Sequence, residues 1–428
     1  MNLPPFQGFI RGTVQVPGDK SISHRSILFG AMAKGKTTVE GFLLSEDCHR
    51  SIECVRKVGV QVDVDQTNVT IQSDGIESWQ EPTEILYTGN SGTTTRLLAG
   101  ILASSRIASV MIGDESIQKR PMKRVTDPLK QMGAEIIGRE NSKFTPLAIQ
   151  GKELSGIDYT MPVASAQVKS AILLAGLRAK GTTVVREQET SRDHTERMLT
   201  HFGVKIEEQD RVITLEGGQT LHPAHIVIPG DISSAAFWLV AAAIVPNSSL
   251  TLENVGLNST RDGIIEVLTD MGATLDISKG QSASHEEIGT VTIQSSQLTG
   301  LEISGSLIPR LIDEIPIIAL LATQAQGKTV IRDAEELKVK ETNRIDAVVT
   351  ELKKLGAKIE STKDGMIIEG PTPLTGGKIT TYGDHRIGMM GAIASLISTD
   401  AILLDDADCI AVSYPTFFED YKLVTTGS

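Results

Sequence analysis

ILFGAMAKGKTTVEG, residues 27–41, is the stretch that decides how this chain is organised. Its central part, GAMAKGKT (30–37), fits the phosphate-loop pattern G-x-x-x-x-G-K-[ST] of proteins that bind ATP or GTP. Similar stretches recur along the chain, but the residues that the phosphate-loop pattern requires are changed in them. Close copies are ILLAGLRAKGTTVVRE (172–187) and IIALLATQAQGKTVIRD (317–333), and looser copies begin at residues 97, 237 and 390. The sequence therefore contains a structural repeat, and the loop pattern occurs inside one copy of it.

Each copy predicts a helix followed by a strand. Ala, Leu and Met dominate the run before the glycine, and β-branched residues dominate the run after it. We therefore expect Gly35 to end a helix as a C-terminal cap. A phosphate loop needs the opposite order, a strand before Gly30 and a helix after Thr37. A nucleotide-dependent phosphotransferase using GAMAKGKT remains an alternative that this order would exclude.

A second marker, of the type KVGVQV or KLGAKI, follows most copies. Its glycines, Gly59, Gly133, Gly203, Gly272 and Gly356, are 69 to 84 residues apart. Six units of about 70 residues thus account for the chain. Within a unit we expect the apolar helix, a strand, an amphipathic helix and further strands, which is an α/β fold.

A shorter duplication marks the predicted domain boundary. VQVPGDKS (14–21) resembles IVIPGDIS (226–233), and each precedes a run of three units. We therefore predict two domains of three units each. One comprises residues 1–15 and 230–428, the other residues 16–229, and the chain crosses between them near 16–20 and near 228–231.

Composition excludes several classes of function. The net charge of −12 argues against nucleic acid as a partner. No apolar run approaches the ~18 residues of a membrane helix, and MNLPPFQGFIRG lacks the features of a signal peptide, so we expect no membrane partner and a cytoplasmic location. Cys48, Cys54 and Cys409 fit no metal or redox spacing, and we expect buried thiols. No metal or cofactor is predicted, and we expect a monomer.

The first helix of each unit is apolar on all sides and should be buried, three such helices per domain. Capping explains many polar residues at their N-termini. It does not explain Lys20, Arg25 or Arg386, because a cation near a helix N-terminus is unfavourable unless an anion binds there. Lys340 and Arg344 in KVKETNR are four positions apart, and we expect them to share a helix face. A solvated charged face is one interpretation, and a site for two anionic ligands clamped between the domains is the other.

Seven motifs carry a resemblance to a known family. In chain order they are GDKSISHR, GNSGTTTRLL, GDESIQKRPM, SAQVKSAILLAGL, DEIPIIALLA, LKVKETNRI and YGDHRIGM. Together they resemble the 5-enolpyruvylshikimate-3-phosphate synthase family over almost the full chain. The resemblance implies two domains of three βαβαββ repeats, an inverse α/β barrel, with the active site in the interdomain cleft. It also implies transfer of the enolpyruvyl group of phosphoenolpyruvate to the 5-hydroxyl of shikimate 3-phosphate with release of phosphate, in aromatic amino-acid biosynthesis, and inhibition by glyphosate.

The resemblance assigns roles to particular residues. Asp313 would accept the hydroxyl proton, with Glu341 and Lys20 as proton-transfer partners. The implied contacts to shikimate 3-phosphate come from Lys20, Ser21, Arg25, Ser165, Gln167, Asp313 and Lys340. The implied contacts to phosphoenolpyruvate come from Lys20, Asn90, Gly92, Arg120, Gln167, Arg344 and Arg386.

The chain departs from the family pattern at two places. Ala166 stands where the family often has a second serine, so Ser191 and Arg192 are alternative contacts to the phosphate. Val412 stands where some members have a lysine, so the cations around phosphoenolpyruvate lack that member. Any side chain at Gly92 would enter the phosphoenolpyruvate pocket, and its absence predicts sensitivity to glyphosate.

Two further functions compete with this interpretation. UDP-N-acetylglucosamine enolpyruvyl transferase shares the fold and the donor, but it has a reactive cysteine in the loop that corresponds to GDESIQKRPM, where this chain has none. A repeat-built binding scaffold would show no turnover and would leave the cations at the helix N-termini unexplained.

Overall fold

A computed structural model describes residues 1–280 and 282–426, which form two units, each with its own hydrophobic core. The first unit comprises residues 18–228 and 283–285, and the second unit comprises residues 1–17, 229–282 and 286–428.

The first unit contains seven helices and twelve strands among its described residues. The helices are α1 Lys20–Met32, α2 Glu46–Lys57, α3 Gly92–Ala103, α4 Lys123–Gln131, the short α5 Arg139–Ser142, α6 Ala166–Gly176 and α7 His194–His201. The strands are β3 Lys34–Glu40, β4 Gln61–Asp65, β5 Asn68–Asp74, β6 Leu86–Tyr87, β7 Ala108–Ile112, β8 Glu135–Gly138, β9 Phe144–Gln150, β10 Asp158–Thr160, β11 Thr182–Arg186, β12 Ile206–Gln209, β13 Val212–Glu216 and β14 His225–Val227.

The second unit contains seven helices and eleven strands in the ranges that the structure describes. The helices are α8 Ile232–Ile244, α9 Gly263–Asp270, α10 Ile308–Leu311, α11 Ile315–Gln324, α12 Arg344–Lys354, α13 His385–Ala394 and α14 Phe417–Thr426. The strands are β1 Asn2–Leu3, β2 Arg11–Val14, β15 Ser249–Gly256, β16 Thr274–Lys279, β17 Ile288–Gln294, β18 Glu302–Ile303, β19 Gly327–Ile331, β20 Lys358–Ser361, β21 Met366–Gly370, β22 Gly377–Ile379 and β23 Ile402–Leu404.

The repeat takes the form βαβαββ. The clearest example runs β10, α6, β11, α7, β12 and β13, and its strands lie in the order β10-β11-β13-β12. The first two strands are parallel because a helix crosses over between them, and the other pairs are antiparallel. The sheets β6-β7-β9-β8 and β18-β19-β21-β20 have the same order. The predicted α/β class and the repeated order of elements are confirmed.

The first sheet of each unit is completed by a strand from a distant part of the chain. β14 pairs parallel with β3 in the first unit, and β2 pairs parallel with β15 in the second. In both cases the strand precedes a Pro-Gly-Asp sequence at which the chain enters the other unit. The duplicated VQVPGDKS and IVIPGDIS therefore mark strands that stay in the unit that the chain is leaving.

The sixth repeat departs from the predicted pattern. Its sheet has three strands in the order β1-β23-β22, with the N-terminal β1 antiparallel to β23. After β23 the chain forms a short 3₁₀ segment, Asp408–Val412, and then α14. The described strands form six separate sheets, none of which closes into a barrel.

The stretch that resembles a phosphate loop has the geometry of the repeat. α1 ends at Met32 and β3 begins at Lys34, so a helix precedes the loop and a strand follows it. This order excludes the phosphate-loop interpretation. The prediction that Gly35 caps the helix is wrong, because Ala33 is the C-cap and Gly35 lies inside β3 with a φ of 132°. That backbone conformation, rather than a cap, requires glycine there.

Three apolar helices fill the interior of each unit, as predicted. They are α1, α3 and α6 in the first unit, and α8, α11 and α13 in the second. α3 and α6 pack so closely that a Cβ at Gly100 would lie 2.2 Å from the carbonyl oxygen of Ala171. None of the helices in the described ranges is long and apolar enough to cross a membrane.

Candidate active site

Lys20 and Ser21 lie in the first turn of α1, the buried helix of the first repeat. Asp19 caps this helix, and its Oδ1 accepts a hydrogen bond of 2.9 Å from the amide of Ile22. Lys20 is the first helical residue, and its Nζ forms an ion pair with the carboxylate of Asp47. The cap and this pair fix the ammonium group where the helix dipole alone would disfavour it.

Arg25 lies one turn further along α1 and is 3% exposed. Its Nε donates to Thr195 Oγ1 at 2.7 Å, and its Nη2 donates to Ser170 Oγ at 2.8 Å. Its Nη1 donates to the carbonyl of Ser21 at 3.0 Å. Next to it, burial and the charges of Lys20 and Arg25 hold the pKa of His24 well below the usual value of an imidazole.

The start of α3 brings a glycine and two arginines together. Gly92 is the first residue of the helix, and Ser91 caps it. A Cβ at Gly92 would lie 2.8 Å from Arg96 Nη1 and 3.2 Å from Arg120 Nη1. Arg120 Nη2 donates to Asn90 Oδ1 at 3.0 Å. The glycine therefore lies directly against two guanidinium groups, which fits recognition of a small anion.

Residues in the first half of α6 contact both Arg25 of α1 and Arg96 of α3. Ser165 precedes the helix, and the Oε1 of Gln167 accepts a hydrogen bond of 2.5 Å from Arg96 Nη1. The same helix carries Ser170, which contacts Arg25. Hydrogen bonds therefore link α1, α6 and α3, and we refer to Lys20, Ser21, Arg25, Asn90, Gly92, Arg120, Ser165 and Gln167 as the first cluster.

A buried lysine supports the loop that follows β11. Lys169 of α6 is 1% exposed, and its Nζ lies 2.9 Å from Glu187 Oε2 and 2.6 Å from Glu196 Oε1. Glu187 also accepts hydrogen bonds from the amide and the hydroxyl of Ser191. Ser191 is 4% exposed and Arg192 follows it, so the two alternative phosphate contacts lie in a loop fixed by buried charges.

The second unit holds a compact cluster of opposite charges. Asp313 Oδ1 lies 3.3 Å from Arg344 Nη1 and 3.6 Å from Lys340 Nζ. Arg344 Nη2 lies 2.5 Å from Glu341 Oε2. The side chains of Asp313, Lys340 and Glu341 keep 15%, 24% and 18% exposure, whereas that of Arg344 keeps 1%, so a ligand can reach the first three. With Arg386, these residues form what we call the second cluster.

Lys340 and Arg344 do not lie on one helix, contrary to what their spacing predicted. α12 begins at Arg344, and Lys340 follows a short 3₁₀ segment, Glu335–Val339. The two side chains therefore do not share a helix face, and the prediction based on their spacing is wrong. They meet instead at Asp313, which precedes α11 in the same repeat and neutralises part of both charges.

Asp384 joins α12 to α13. Its carboxylate accepts hydrogen bonds of 2.8 and 3.1 Å from Arg344 Nε and Nη2, and one of 2.9 Å from the amide of Arg386. Burial alone would lower the pKa of Arg344, but Asp384, Glu341 and Asp313 outweigh it and raise that pKa above the usual value. Arg344 is therefore a permanent cation, held at two edges of its guanidinium group.

Arg386 occupies the second position of α13 and is 8% exposed. Its Nη1 lies 3.9 Å from Oε1 of Glu314, a fully buried carboxylate that also accepts a hydrogen bond from the hydroxyl of Ser233. Glu314 thus places negative charge behind Arg386, within the second unit.

The sequence missed residues whose importance depends on tertiary contacts. Asp384 and Asp47 read as helix caps or surface acids, and Thr195 as an ordinary helix residue. Arg96 lies in the motif GNSGTTTRLL, but the sequence assigns it no role. An arginine inside an apolar helix signals a buried partner, but the sequence does not identify that partner.

Potential metal ligands do not cluster in the described ranges, and the three cysteines are buried. No group of three or more His, Cys, Asp or Glu side chains there could hold a metal ion. Cys48, Cys54 and Cys409 are buried free thiols, as predicted. Burial raises the pKa of each to about 12.

Known proteins resemble the chain over nearly its whole length. The profile of one family, EPSP synthase (3-phosphoshikimate 1-carboxyvinyltransferase), matches residues 7–421. The 3-phosphoshikimate 1-carboxyvinyltransferase of Bacillus pumilus (strain SAFR-032) is 58% identical over 417 residues, 97% of each chain. That of Bacillus cereus (strain G9842) is 57% identical over 420 residues, 98% of each chain.

The fold leads to the same family. A solved EPSP synthase from Acinetobacter baumannii superposes with a TM-score of 0.87 at 43% identity, covering 98% of this chain and 97% of the other. The rival enolpyruvyl transferase and the phosphotransferase are not favoured. This chain belongs to the EPSP synthase family, the enzymes that transfer the enolpyruvyl group of phosphoenolpyruvate to shikimate 3-phosphate in aromatic amino-acid biosynthesis.

Proposed function

We propose that the two clusters act together on one pair of substrates, and that each predicted domain, residues 16–229 and residues 1–15 with 230–428, supplies one of them. Lys20, Ser21, Arg25, Ser165, Gln167, Asp313 and Lys340 bind shikimate 3-phosphate. Lys20, Asn90, Gly92, Arg120, Gln167, Arg344 and Arg386 bind phosphoenolpyruvate.

The observation that carries this proposal is the position of three cations. Lys20 is the first residue of α1, Arg344 the first of α12 and Arg386 the second of α13. Each lies in a first turn, where the helix dipole disfavours positive charge and favours an anion. Carboxylates within the protein already offset Lys20 and Arg344 in part. The phosphate and carboxylate groups of the two substrates are the further anions that these helix starts favour, and guanidinium groups can bind both in a bidentate manner.

The chemistry needs a base, an acid and fixed cations. The 5-hydroxyl oxygen attacks C2 of phosphoenolpyruvate while C3 takes up a proton, which gives a tetrahedral adduct. Loss of a proton from C3 and departure of phosphate from C2 then restore the double bond. We assign the hydroxyl proton to Asp313, whose carboxylate Lys340 and Arg344 hold in place. Glu341 and Lys20 exchange the proton at C3.

The test is phosphate release from phosphoenolpyruvate, measured with and without shikimate 3-phosphate. We expect release only when shikimate 3-phosphate is present. Release that ignores shikimate 3-phosphate but requires UDP-N-acetylglucosamine would overturn the proposal. Mass spectrometry of the product should show the enolpyruvyl ether of shikimate 3-phosphate.

We also propose that glyphosate competes with phosphoenolpyruvate at the first cluster, where Gly92 lies against Arg96 and Arg120. Inhibition that rises as phosphoenolpyruvate is lowered would support this. The monomeric state and the cytoplasmic location stay predictions, which light scattering and cell fractionation would test.

A further inference from the structure

Two hydroxyl groups from different helices meet at one edge of the Arg25 guanidinium. Thr195 is the second residue of α7, and Ser170 lies in the middle of α6. Arg25 Nε donates to Thr195 Oγ1 at 2.7 Å, and Nη2 donates to Ser170 Oγ at 2.8 Å. The two hydroxyl oxygens are themselves 2.6 Å apart. The edge of the guanidinium formed by Nε and Nη2 therefore binds two hydroxyl oxygens that are hydrogen-bonded to each other.

The hydrogen-bond directions in this pair follow from the partners. Ser170 Oγ lies 2.6 Å from the carbonyl oxygen of Ala166, which only accepts, so the Ser170 hydroxyl donates to it. The proton between the two hydroxyls must then come from Thr195. Both oxygens accept from Arg25, because a guanidinium only donates. The hydrogen bonds therefore all run in one direction: Arg25 donates to Thr195, Thr195 donates to Ser170, and Ser170 donates to the carbonyl of Ala166 in the first turn of α6.

Burial makes this arrangement costly to disturb. Ser170 and Thr195 are fully buried, and Arg25 is 3% exposed. Water therefore cannot easily replace either hydroxyl, and a hydrogen bond to a charged group is stronger than one between neutral groups. A planar group held at one edge by two such bonds has a fixed plane as well as a fixed position.

Ion pairs hold α7 in the position that this contact needs. Lys169, next to Ser170 in α6, contacts Glu196, next to Thr195 in α7, at 2.6 Å. The same lysine contacts Glu187 at 2.9 Å. The buried ion pair and the hydroxyl pair therefore occupy neighbouring positions on the same two helices. The ion pair fixes the position of α7 against α6, and the contact between the two hydroxyls depends on that position.

We propose that Thr195 and Ser170 are positioning residues that fix the plane of Arg25 for binding shikimate 3-phosphate. The inference rests on the proposed role of Arg25 in binding that substrate. It adds a positioning element to the first cluster, because a guanidinium in a fixed plane can meet its anion in only one orientation.

The experiment compares isosteric changes in the full-length enzyme. Thr195→Val removes the hydroxyl and keeps the shape, Thr195→Ser keeps the hydroxyl, and Ser170→Ala removes the second acceptor. Thr200→Val is the matched control on α7, because its exposed hydroxyl contacts only its own helix, through the carbonyl of Glu196. KM for each substrate is measured from phosphate release, and thermal melting reports folding.

We expect Thr195→Val and Ser170→Ala each to raise KM for shikimate 3-phosphate about tenfold, the scale of one hydrogen bond to a charged group. KM for phosphoenolpyruvate should stay within about twofold, because the change acts through Arg25 alone. Thr195→Ser should restore the parental KM, and Thr200→Val should not alter it. A general loss of packing would raise both KM values and would not distinguish serine from valine.

Arg25→Lys separates this inference from the proposed function. If it leaves KM for shikimate 3-phosphate unchanged, Arg25 does not contribute to binding that substrate and the proposed function of the first cluster fails. If it raises that KM while Thr195→Val and Ser170→Ala stay within about twofold of the parent, only the positioning inference fails. In the Arg25→Lys background, Thr195→Val should add nothing further; should Thr195→Val not fold, Ser170→Ala carries the same comparison.

Discussion

The two clusters hold their arginines with different kinds of partner. In the first cluster, Arg25 donates to two hydroxyls and a carbonyl, and Arg120 donates to an amide oxygen. In the second cluster, Arg344 donates to the carboxylates of Asp313, Glu341 and Asp384. Neutral oxygens orient a guanidinium, whereas carboxylates also offset its charge. Both clusters supply cations for the proposed substrates, and the second cluster also holds the carboxylate proposed as the base, Asp313.

The largest effect should come from the carboxylate assigned to proton transfer. Asp313→Ala is expected to lower kcat by about 10²- to 10⁴-fold, because a positioned general base contributes that much. The measurement is phosphate release at saturating substrates, with circular dichroism to verify folding. Asp276→Ala, which removes an exposed carboxylate from β16 in the same unit, is the control and should match the parent. Near-parental turnover in Asp313→Ala would remove the base from the second cluster.

Asp384→Ala tests the charge-offsetting partner of Arg344. The guanidinium would stay buried without the carboxylate that binds two of its nitrogens, and such a loss typically costs about 3 kcal/mol or more in the free energy of unfolding. Urea denaturation measures it. Glu302→Ala breaks an exposed pair with Arg332 at 3.7 Å and should change stability by less than about 1 kcal/mol. Equal effects from the two variants would contradict the comparison.

Gly92→Ala tests how tightly the first cluster surrounds its anion. The new methyl group would lie 2.8 Å from Arg96 Nη1, so that guanidinium must move. We expect the inhibition constant for glyphosate to rise about tenfold or more, in the range that overpacking costs. Inhibition assays at fixed phosphoenolpyruvate measure it. A variant that binds glyphosate as tightly as the parent would refute this account of the pocket.

A pH-dependent effect on stability concerns His24, the neutral neighbour of the first-cluster cations. Its pKa is lowered in the folded protein, so the unfolded chain binds more protons below pH 6.5. The stability due to the neutral form is therefore present above pH 6.5 and is lost as pH falls toward the folded pKa. We expect a loss of up to about 1.4 kcal/mol per pH unit in that range.

His24→Asn should flatten this dependence, since asparagine does not titrate. Urea denaturation at several pH values between 6.5 and 5 measures the slope for both proteins. Parallel slopes would show that the imidazole does not titrate differently on folding.

The sequence predicted the repeat and its interior better than its side-chain contacts. Helices such as α8 and α11 consist of apolar residues on all sides, so their burial follows from composition. Glu341 is a local partner of Arg344, but Asp313 and Asp384 lie 31 and 40 positions away, and no local pattern connects them to Arg344. Spacing also misplaced Lys340, because the helix pattern does not reveal that α12 starts only at Arg344.

The strands that complete the first sheet of each unit set an order of assembly. β2 lies near the N-terminus, yet it pairs with β15, and the nearby Ile10 donates to Ser248, 238 positions later. During synthesis this segment leaves the ribosome early and waits with unpaired edges until its partner emerges. The first unit can complete its sheet as soon as β14 is made. A fragment that stops before residue 249 should therefore keep the first unit and leave the N-terminal strands exposed to wrong partners.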